Sequence, residues 1–544
     1  MKHMKHKPLK FRWSMVWLLV LIVIILACGS RADKVAPIAM AQEKSKADAD
    51  AFRSEAMPSS LVMEREEQPK EKFNTEEYTK IEENKFKDAR ENPLSTFSID
   101  VDTASYTNIR RFITGNQMPP KDSVRIEEMI NYFTYDYPEP TGEHPFSIVS
   151  EVSVCPWNTA HKLVHIGLQG KRLNYNDLKP CNLVFLVDSS GSMEDENKLP
   201  LLKKSLKLLL DGLDDKDRVA IVTYAGSAGL ILPSTPASKK SDILNALERL
   251  EAGGSTAGGA GIELAYAVAK ENLIKDGNNR VILCTDGDFN VGASSTGDMV
   301  RLIEEKRKDD IYLTICGFGM GNYKDGRMEE ISKSGNGNYF YIDSILEAQK
   351  VFVKEMRANL FTIAKDVKIQ VEFNPTKIKA YRLVGYENRV MANEDFNNDK
   401  KDAGELGAGH TVTALYELIT ADSSEEVNKA GALKYQETQI KKSAAGSLEI
   451  MSVKLRYKPP KEEISKLIEL VIVDPKIALE KTSDNFRFSA AIAGFGMLLR
   501  DSQFKGNLTY DAVSSLAKTS LGKDAEGYRA EFIRLVTTAT LLSK

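Results

Sequence analysis

The pattern of apolar and polar positions changes several times along the chain, and each change marks a different kind of segment. From Met15 to Ala27 the residues are continuously apolar. That run is shorter than the about 20 apolar residues a comfortable membrane span needs. From Ser30 to about Asn92 the chain is rich in Lys, Glu, Asp, Ala and Ser and poor in large apolar side chains. Such a stretch cannot bury enough surface to offset its ordering entropy, so it reads as a tether. Opposite charges recurring near i,i+4 would give it transient helix over Thr75 to Arg90.

Regular periodicity begins near Leu94. Phe97, Ile99 and Val101 alternate as in a half-buried strand, and Asp102-Thr103-Ala104-Ser105 looks like the start of a helix carrying Ile109, Phe112 and Ile113. A second helix carries Ile126, Met129, Ile130 and Phe133, and strands follow at Phe146 to Val154 and Leu163 to Gly167. From Asn182 to about Val353 strands and helices alternate. Leu183 to Val187 is a continuous apolar run, as in a strand buried on both faces, and further strands fall at Val219 to Tyr224, Val281 to Thr285, Ile311 to Phe318 and Tyr339 to Ile342. That alternation predicts right-handed crossovers and a parallel sheet covered on both faces. Beyond Val353 the segments Val367 to Phe373, Ile378 to Val384, His410 to Ile419 and Ile450 to Arg456 alternate as antiparallel strands do, and helices return at Phe486 to Arg500 and Asp524 to Leu542.

Composition narrows the choices. The chain has 544 residues, and at roughly 150 per domain three or four domains are expected. Lys plus Arg is 74 and Asp plus Glu is 77, for a net charge of -3, so the basic surface of a nucleic-acid binder is missing. Five cysteines are too few for a disulfide-built scaffold. Lys2, Lys5, Lys7, Lys10 and Arg12 precede the first apolar run with no acid among them, which describes a secretory signal peptide over residues 1–27. Its removal takes those positive charges away, leaves a distinctly acidic chain that anionic headgroups repel, and leaves no later stretch long enough to span a membrane. Ala27-Cys28 resembles the lipobox of bacterial lipoproteins, although Leu26 is bulkier than the residue usual before the alanine. The resemblance implies a diacylglycerol on Cys28. Gly29 is not an acidic inner-membrane retention residue, so by the same resemblance the outer membrane, facing the periplasm, is favoured.

Candidate chemistry gathers after the buried strand. Asp188, Ser190 and Ser192 alternate directly beyond it, and in a doubly wound sheet the carboxyl ends of strands open at the crevice where ligands bind. One carboxylate and two hydroxyls make a hard oxygen face suited to Mg²⁺ or Mn²⁺ and unsuited to zinc. Thr256, in Gly253-Gly254-Ser255-Thr256, and Asp286, at the end of the strand Val281 to Thr285, should emerge at the same edge. Together these residues resemble the metal-ion-dependent adhesion site of von Willebrand factor type A domains: D-x-S-x-S, then a threonine, then an aspartate. The resemblance implies a cation held by Asp188, Ser190, Ser192, Thr256 and Asp286, with one face open to an acidic side chain of a protein partner. Flanking motifs, Ser98 to Tyr106, Pro156-Trp157-Asn158, Asn182 to Asp188 and Thr285 to Asn290, look like the bacterial YfbK-type lipoproteins over nearly all the mature length.

The expected fold is therefore α/β: a doubly wound, mostly parallel, Rossmann-like sheet over residues 178–353. An α+β N-terminal module over 93–177 and a β-rich, then helical C-terminal module over 354–544 flank it, all behind a lipid-anchored tether over 28–92. A binding module is the leading function, and no enzyme is expected. A metal-dependent phosphohydrolase with Asp188 as nucleophile is the alternative, but the haloacid dehalogenase fold uses D-x-D after a similar strand and Ser190 stands at the second position. A structural envelope protein with an idle metal site is the third reading.

Other signals are weaker. Asp100, Asp102 and Ser105 read as a strand end and helix N-cap. Asp395, Asn397 and Asp399 open like a calcium loop, but Lys400 and Leu406 stand where glycine and glutamate are needed. Asp325, Gly326 and the loop Gly335 to Asn338 read as turns. No H-E-x-x-H, G-x-S-x-G elbow or Walker A lysine occurs. Cys284 and Cys316 read as core thiols. Cys155 and Cys181 flank the entry to the central domain, and their pairing is left open.

Overall fold

Strand Cys181–Asp188 (β5) is buried along its whole length, and a sheet forms around it. The computed structural model describes residues 74–174, 178–254, 258–287, 296–427, 435 and 439–544. In chain order the central elements after β5 are α3 (Leu199–Asp211), β6 (Arg218–Tyr224), β7 (Ala228–Pro236), α4 (Lys240–Glu248), α5 (Gly258–Glu271), β8 (Asn278–Thr285), α6 (Thr296–Lys306), β9 (Ile311–Phe318), α7 (Asp325–Ser334), β10 (Tyr339–Ile342), α8 (Ile345–Gln349) and α9 (Met356–Leu360). The sheet order is β10-β9-β8-β5-β6-β7. Its strands are parallel except β7, which turns back antiparallel on β6. Apolar side chains of β5 alternate between two cores. Leu183, Phe185 and Val187 enter one with α3, and Val184 and Leu186 enter the other with α5. That two-sided burial is why the strand reads as an unbroken apolar run.

The N-terminal and C-terminal segments that flank the central sheet pair with each other. Before β5 lie β1 (Lys87–Asp88), β2 (Leu94–Ser98), α1 (Ala104–Thr114), α2 (Ile126–Asn131), β3 (Phe146–Cys155) and β4 (Asn158–Gly170). After α9 lie β11 (Thr362–Phe373), β12 (Ile378–Val384), β13 (Gly404–Gly407), β14 (Thr411–Thr420), α10 (Lys442–Gly446), β15 (Glu449–Lys458), β16 (Lys466–Val473), α11 (Asp484–Arg500), α12 (Tyr510–Lys518) and α13 (Tyr528–Leu542). They interleave in two antiparallel sheets, β1-β12-β14-β4-β3 and β13-β11-β15-β16, with β2 also paired to β11. Val164, Ile166, Phe97, Val371, Tyr416 and Val453 share one core between the sheets. Helices α1, α2, α11, α12 and α13 build another, to which Leu163, Val384 and Leu415 contribute. The central domain is thus inserted between β4 and β11 in chain order, and β4 pairs with β14 from Thr411↔Gln169 to Leu418↔Lys162. Alternation along single strands shows which face is buried but not which distant strand supplies the neighbour.

Residues 74–92, placed by the sequence in the tether, lie along this body, and the helix expected over Thr75 to Arg90 is absent. The Thr75 amide donates to Gly321 O (2.7 Å), and Glu77 N donates to Tyr323 O (2.9 Å). Glu76 receives Arg111 on both carboxylate oxygens (2.7 and 2.9 Å) and the Gly321 amide (2.8 Å). Asn84 donates to Gly385 O (2.8 Å). Backbone groups spent on other segments are not available to a helix.

Two further readings are corrected. Asp325-Gly326 opens α7, and the Asp325 carboxylate at its first turn, favoured by the helix dipole, also receives Arg125. Asp100 and Asp102 cap no helix. The residue before α1 is Thr103, which makes no side-chain cap bond, and both aspartates accept from Arg389 (2.9 and 3.0 Å). Asp399 accepts the Ser465 hydroxyl (2.6 Å), so its carboxylate serves that contact. Cys155, Cys181, Cys284 and Cys316 are buried free thiols. Among the described residues no helix is long and apolar enough to cross a membrane.

The Glu76–Arg111 pair is nearly excluded from water, with 4% and 11% of the side chains exposed. Arg111→Ala therefore leaves a stranded carboxylate, and a loss of about 3 kcal/mol in denaturant unfolding is expected. Limited proteolysis should spare residues 74–92 in the wild type, and Arg111→Ala should open them to cleavage.

Candidate functional site

Asp188 is the last residue of β5 and is fully buried. One residue later the chain leaves the sheet, and Ser190 folds back. Its amide (2.9 Å) and its hydroxyl (2.6 Å) both donate to Asp188 Oδ1. A single helical turn, Gly191–Glu194, is pinned by the buried Met193 and brings Ser192 Oγ to 3.0 Å from Ser190 Oγ. Three oxygens of alternate residues thus converge at the carboxyl edge of the sheet. On the far side of the carboxylate, Tyr224 from the end of β6 donates to Asp188 Oδ2 (3.1 Å), and the Thr285 hydroxyl donates to the same atom (3.4 Å).

The glycine loop arrives through its backbone. Gly191 N donates to Gly254 O (3.1 Å), and Gly253 N donates to Ser189 O (2.8 Å). Thr256 itself lies outside the described residues. Asp286 follows β8 and is fully buried. Gly287, with φ +99°, makes the turn behind it, where a Cβ would stand 2.7 Å from Lys324 N. The structure therefore brings Asp188, Ser190, Ser192 and Asp286 to the carboxyl ends of the neighbouring strands β5 and β8.

Lys198, Tyr224 and Asn322 were not singled out from the sequence. Lys198 is 4% exposed and carries its ammonium to Asp286 Oδ2 and to the Ser192 carbonyl, both at 2.9 Å. Asn322 Oδ1 lies 3.5 Å from the same nitrogen. The signal for Lys198 was present. It is the lone base after Glu194-Asp195-Glu196, immediately before the apolar helix α3. Asn322 sits in a loop with no periodicity to mark it.

The two carboxylates differ. Burial pushes Asp188 up to about 6; the bonds from Ser190 oppose this and the charge of Asp286 adds to it. Burial also pushes Asp286 up, but Lys198 and the bonds from Asn322 and Ser192 outweigh it and hold the group below the usual carboxylate range. The donor set is hard oxygen throughout and fits Mg²⁺ or Mn²⁺. Among the described residues, no group of three or more His, Cys, Asp or Glu could hold a metal ion.

Comparison with known proteins gives three consecutive family matches. Residues 72–165 match the family described as von Willebrand factor, 182–355 the von Willebrand factor type A domain, and 358–542 the C-terminal region of uncharacterized protein YfbK. The chain is 42% identical over 472 residues to uncharacterized protein YfbK of Escherichia coli, covering 86% of this chain and 81% of that one. It is 28% identical over 196 residues to an uncharacterized Synechocystis protein, sll0103, covering 36% and 45%. A solved von Willebrand factor type A structure from Catenulispora acidiphila aligns at 16% identity over 74% of this chain and 91% of that one, with a TM-score of 0.41.

Lys198 offers a test of the site's charge balance without any ligand. Lys198→Met strands the buried Asp286, so in chelator at pH 7 the variant should unfold about 3 kcal/mol more easily than the wild type. Asp286 has a depressed folded pKa. The stability its pairing contributes is full above the unfolded value near 4 and is lost as pH falls through the folded one, so the gap between the two proteins should close on acidification. Equal unfolding midpoints at pH 7 would show that the pair contributes nothing.

Proposed function

The chain belongs to the YfbK-like family of von Willebrand factor type A proteins, and on that premise we propose that it is a metal-dependent binding module of the bacterial cell envelope. Asp188, Ser190, Ser192, Thr256 and Asp286 hold Mg²⁺ or Mn²⁺, and the cation captures an acidic side chain of a protein partner. Lipid on Cys28 anchors the chain, in the outer membrane facing the periplasm, behind a tether. The observation that carries this reading is the convergence of Asp188, Ser190 and Ser192, whose oxygens lie 2.6 and 3.0 Å apart in sequence, with Asp286 on the adjoining strand end. Two carboxylates and neutral hydroxyls leave a bound cation electrophilic enough to take one more acid. Type A domains are interaction modules, and the turn after Asp188 supports that reading over hydrolysis. Ser190 spends its hydroxyl on Asp188 and leaves no second acid there for proton transfer.

One observation favours the idle-site reading. Lys198 already supplies a positive charge to Asp286 and to the Ser192 carbonyl. An ammonium so placed balances the site for stability alone. A pull-down from envelope extracts with Mg²⁺ and with chelator separates the two. Capture of a partner only with the metal supports the binding module, and identical profiles support the idle site.

Metal that binds only the folded domain stabilises it by about 2.7 kcal/mol at one hundred times the dissociation constant. Mg²⁺ or Mn²⁺ should therefore raise the melting temperature of the wild type. Asp188→Ala should abolish the increment, and Thr256→Ala should reduce it. A full Mg²⁺ response in Asp188→Ala removes that residue from the ligand set.

The anchor is tested separately. Cys28→Ser should leave an unprocessed precursor or release the protein into the soluble fraction. Unchanged processing and fractionation would refute lipidation.

A further inference from the structure

Strand β16 ends its sheet. It pairs with β15 on one side, and among the described residues no strand pairs with its other side. Its sequence, Lys-Leu-Ile-Glu-Leu-Val-Ile-Val, is apolar apart from Lys466 and Glu469. Ile468, Leu470 and Ile472 turn toward the sandwich core. Leu467, Val471 and Val473 alternate with them on the outer face and are 51%, 46% and 48% exposed; Ile464, just before the strand, is 76% exposed. A long apolar edge with open N–H and C=O groups is a template for another strand. Proline and short length, two usual protections of such an edge, are absent within β16.

The charges at this edge choose the occupant. Glu469 accepts the Ser452 hydroxyl (2.6 Å). Lys466 is exposed and has no ion-pair partner among the described residues. Asp474 stands immediately past the strand's other end and is paired with Lys162 (3.1 Å). We propose that β16 pairs antiparallel with β16 of a second copy of this chain, about a two-fold axis at Leu470. That register sets Lys466 opposite Asp474 of the other copy twice over, Leu467 opposite Val473, Ile468 opposite Ile472 and Glu469 opposite Val471. Inner residues meet inner residues and outer meet outer, so both faces of the sheet continue across the axis. A slip of one residue per strand toward the strand start sets Glu469 against Glu469, a like-charge pair that destabilises a ladder. The opposite slip places Asp474 opposite Ile468 and loses both charge pairs. Opposite charges at the two ends therefore suit a copy of the same strand, while Lys466 and Glu469 blunt the edge against strands without matching charges.

Sedimentation of the full chain in mild detergent tests the proposal. A concentration-dependent dimer is expected. Lys466→Glu should weaken it several-fold by setting two acidic pairs at the ends, Asp474→Lys should weaken it likewise, and the double swap should restore it. Lys466→Glu disturbs no internal ion pair and carries the test by itself if Asp474→Lys, which loses Lys162, melts early. Leu470→Cys should give a disulfide-linked dimer on oxidation, because the two residues 470 face each other. Leu467→Cys should not, since its counterpart lies six residues along the strand, about 20 Å away. A monomer at all concentrations overturns the proposal. So does a dimer that Lys466→Glu leaves unchanged, or one that crosslinks through Leu467→Cys as readily as through Leu470→Cys.

Discussion

Arg110, Arg125 and Arg389 each carry a guanidinium out of water into the boundary between the type A domain and the rest of the chain; all three are 6% exposed or less. Arg110, on α1, reaches Asp343 (2.5 Å) and Glu347 (2.7 Å) of the central domain and Glu531 (3.0 Å) of α13. Arg125, just before α2, holds Asp325 at the start of α7 together with its neighbour Glu128. Arg389 holds Asp100 and Asp102, and Asp102 in turn accepts the Tyr339 amide of β10 (2.8 Å). Buried ion pairs contribute little net stability, because the desolvation they need offsets most of the attraction. Breaking one is another matter, since it strands a charge. Burial and the neighbouring Asp100 already push Asp102 up to about 7 even with Arg389 present. Any displacement of the type A domain that separates these pairs exposes unbalanced charge in several places at once. The network therefore fixes where the domain sits more than it adds to how tightly it folds.

A fixed frame matters for the site because its oxygens come from chain ends that the frame positions. Asp188 and Asp286 are close enough that each raises the cost of ionising the other, and both are buried. In water this repulsion would be slight. Beneath Tyr224, with strands on either side, it is not screened. Burial raises both groups, but Lys198 relieves Asp286 and leaves Asp188 with hydroxyl and amide partners, so one group is depressed and the other elevated. Lys198 thus offsets the charge of Asp286, while among the described residues no ion pair reaches Asp188.

The central sheet was legible because β5, buried on both faces, writes the unbroken apolar run Leu183 to Val187 into the sequence, and strands and helices alternate after it. The spacing of Asp188, Ser190 and Ser192 was legible for a related reason, since a polar cluster directly after such a run can only be at the strand's carboxyl edge. The composite sandwich was not legible. Nothing in Lys162 to Gln169 says that its partner strand is Thr411 to Leu418, because alternation encodes a face and not a neighbour. Residues 74–92 misled for a different reason. Their stabilisation comes from backbone bonds and from Glu76–Arg111, and neither raises local apolar content. Asp100, Asp102 and Asp325 looked like caps and turns because the arginines that claim them are distant in sequence.

The N-terminal strap and the candidate site meet in one loop. Between β9 and α7 the chain passes Gly319, Gly321, Asn322 and Lys324. Gly319, at φ +75°, has no side chain because the Lys198 stem fills the space a Cβ would occupy. Asn322 approaches the Lys198 ammonium, and Gly321 is bonded through its amide to Glu76 and through its carbonyl to Thr75. The same short loop therefore supports the lysine on one side and receives the strap on the other. Lys198 has a long, flexible stem, and holding it in one geometry costs rotamer entropy. The wall it rests on must be rigid for the ammonium to stay at Asp286. Part of that rigidity comes from residues 75 and 76, so the charge balance of the site depends on a segment whose sequence alone reads as a tether.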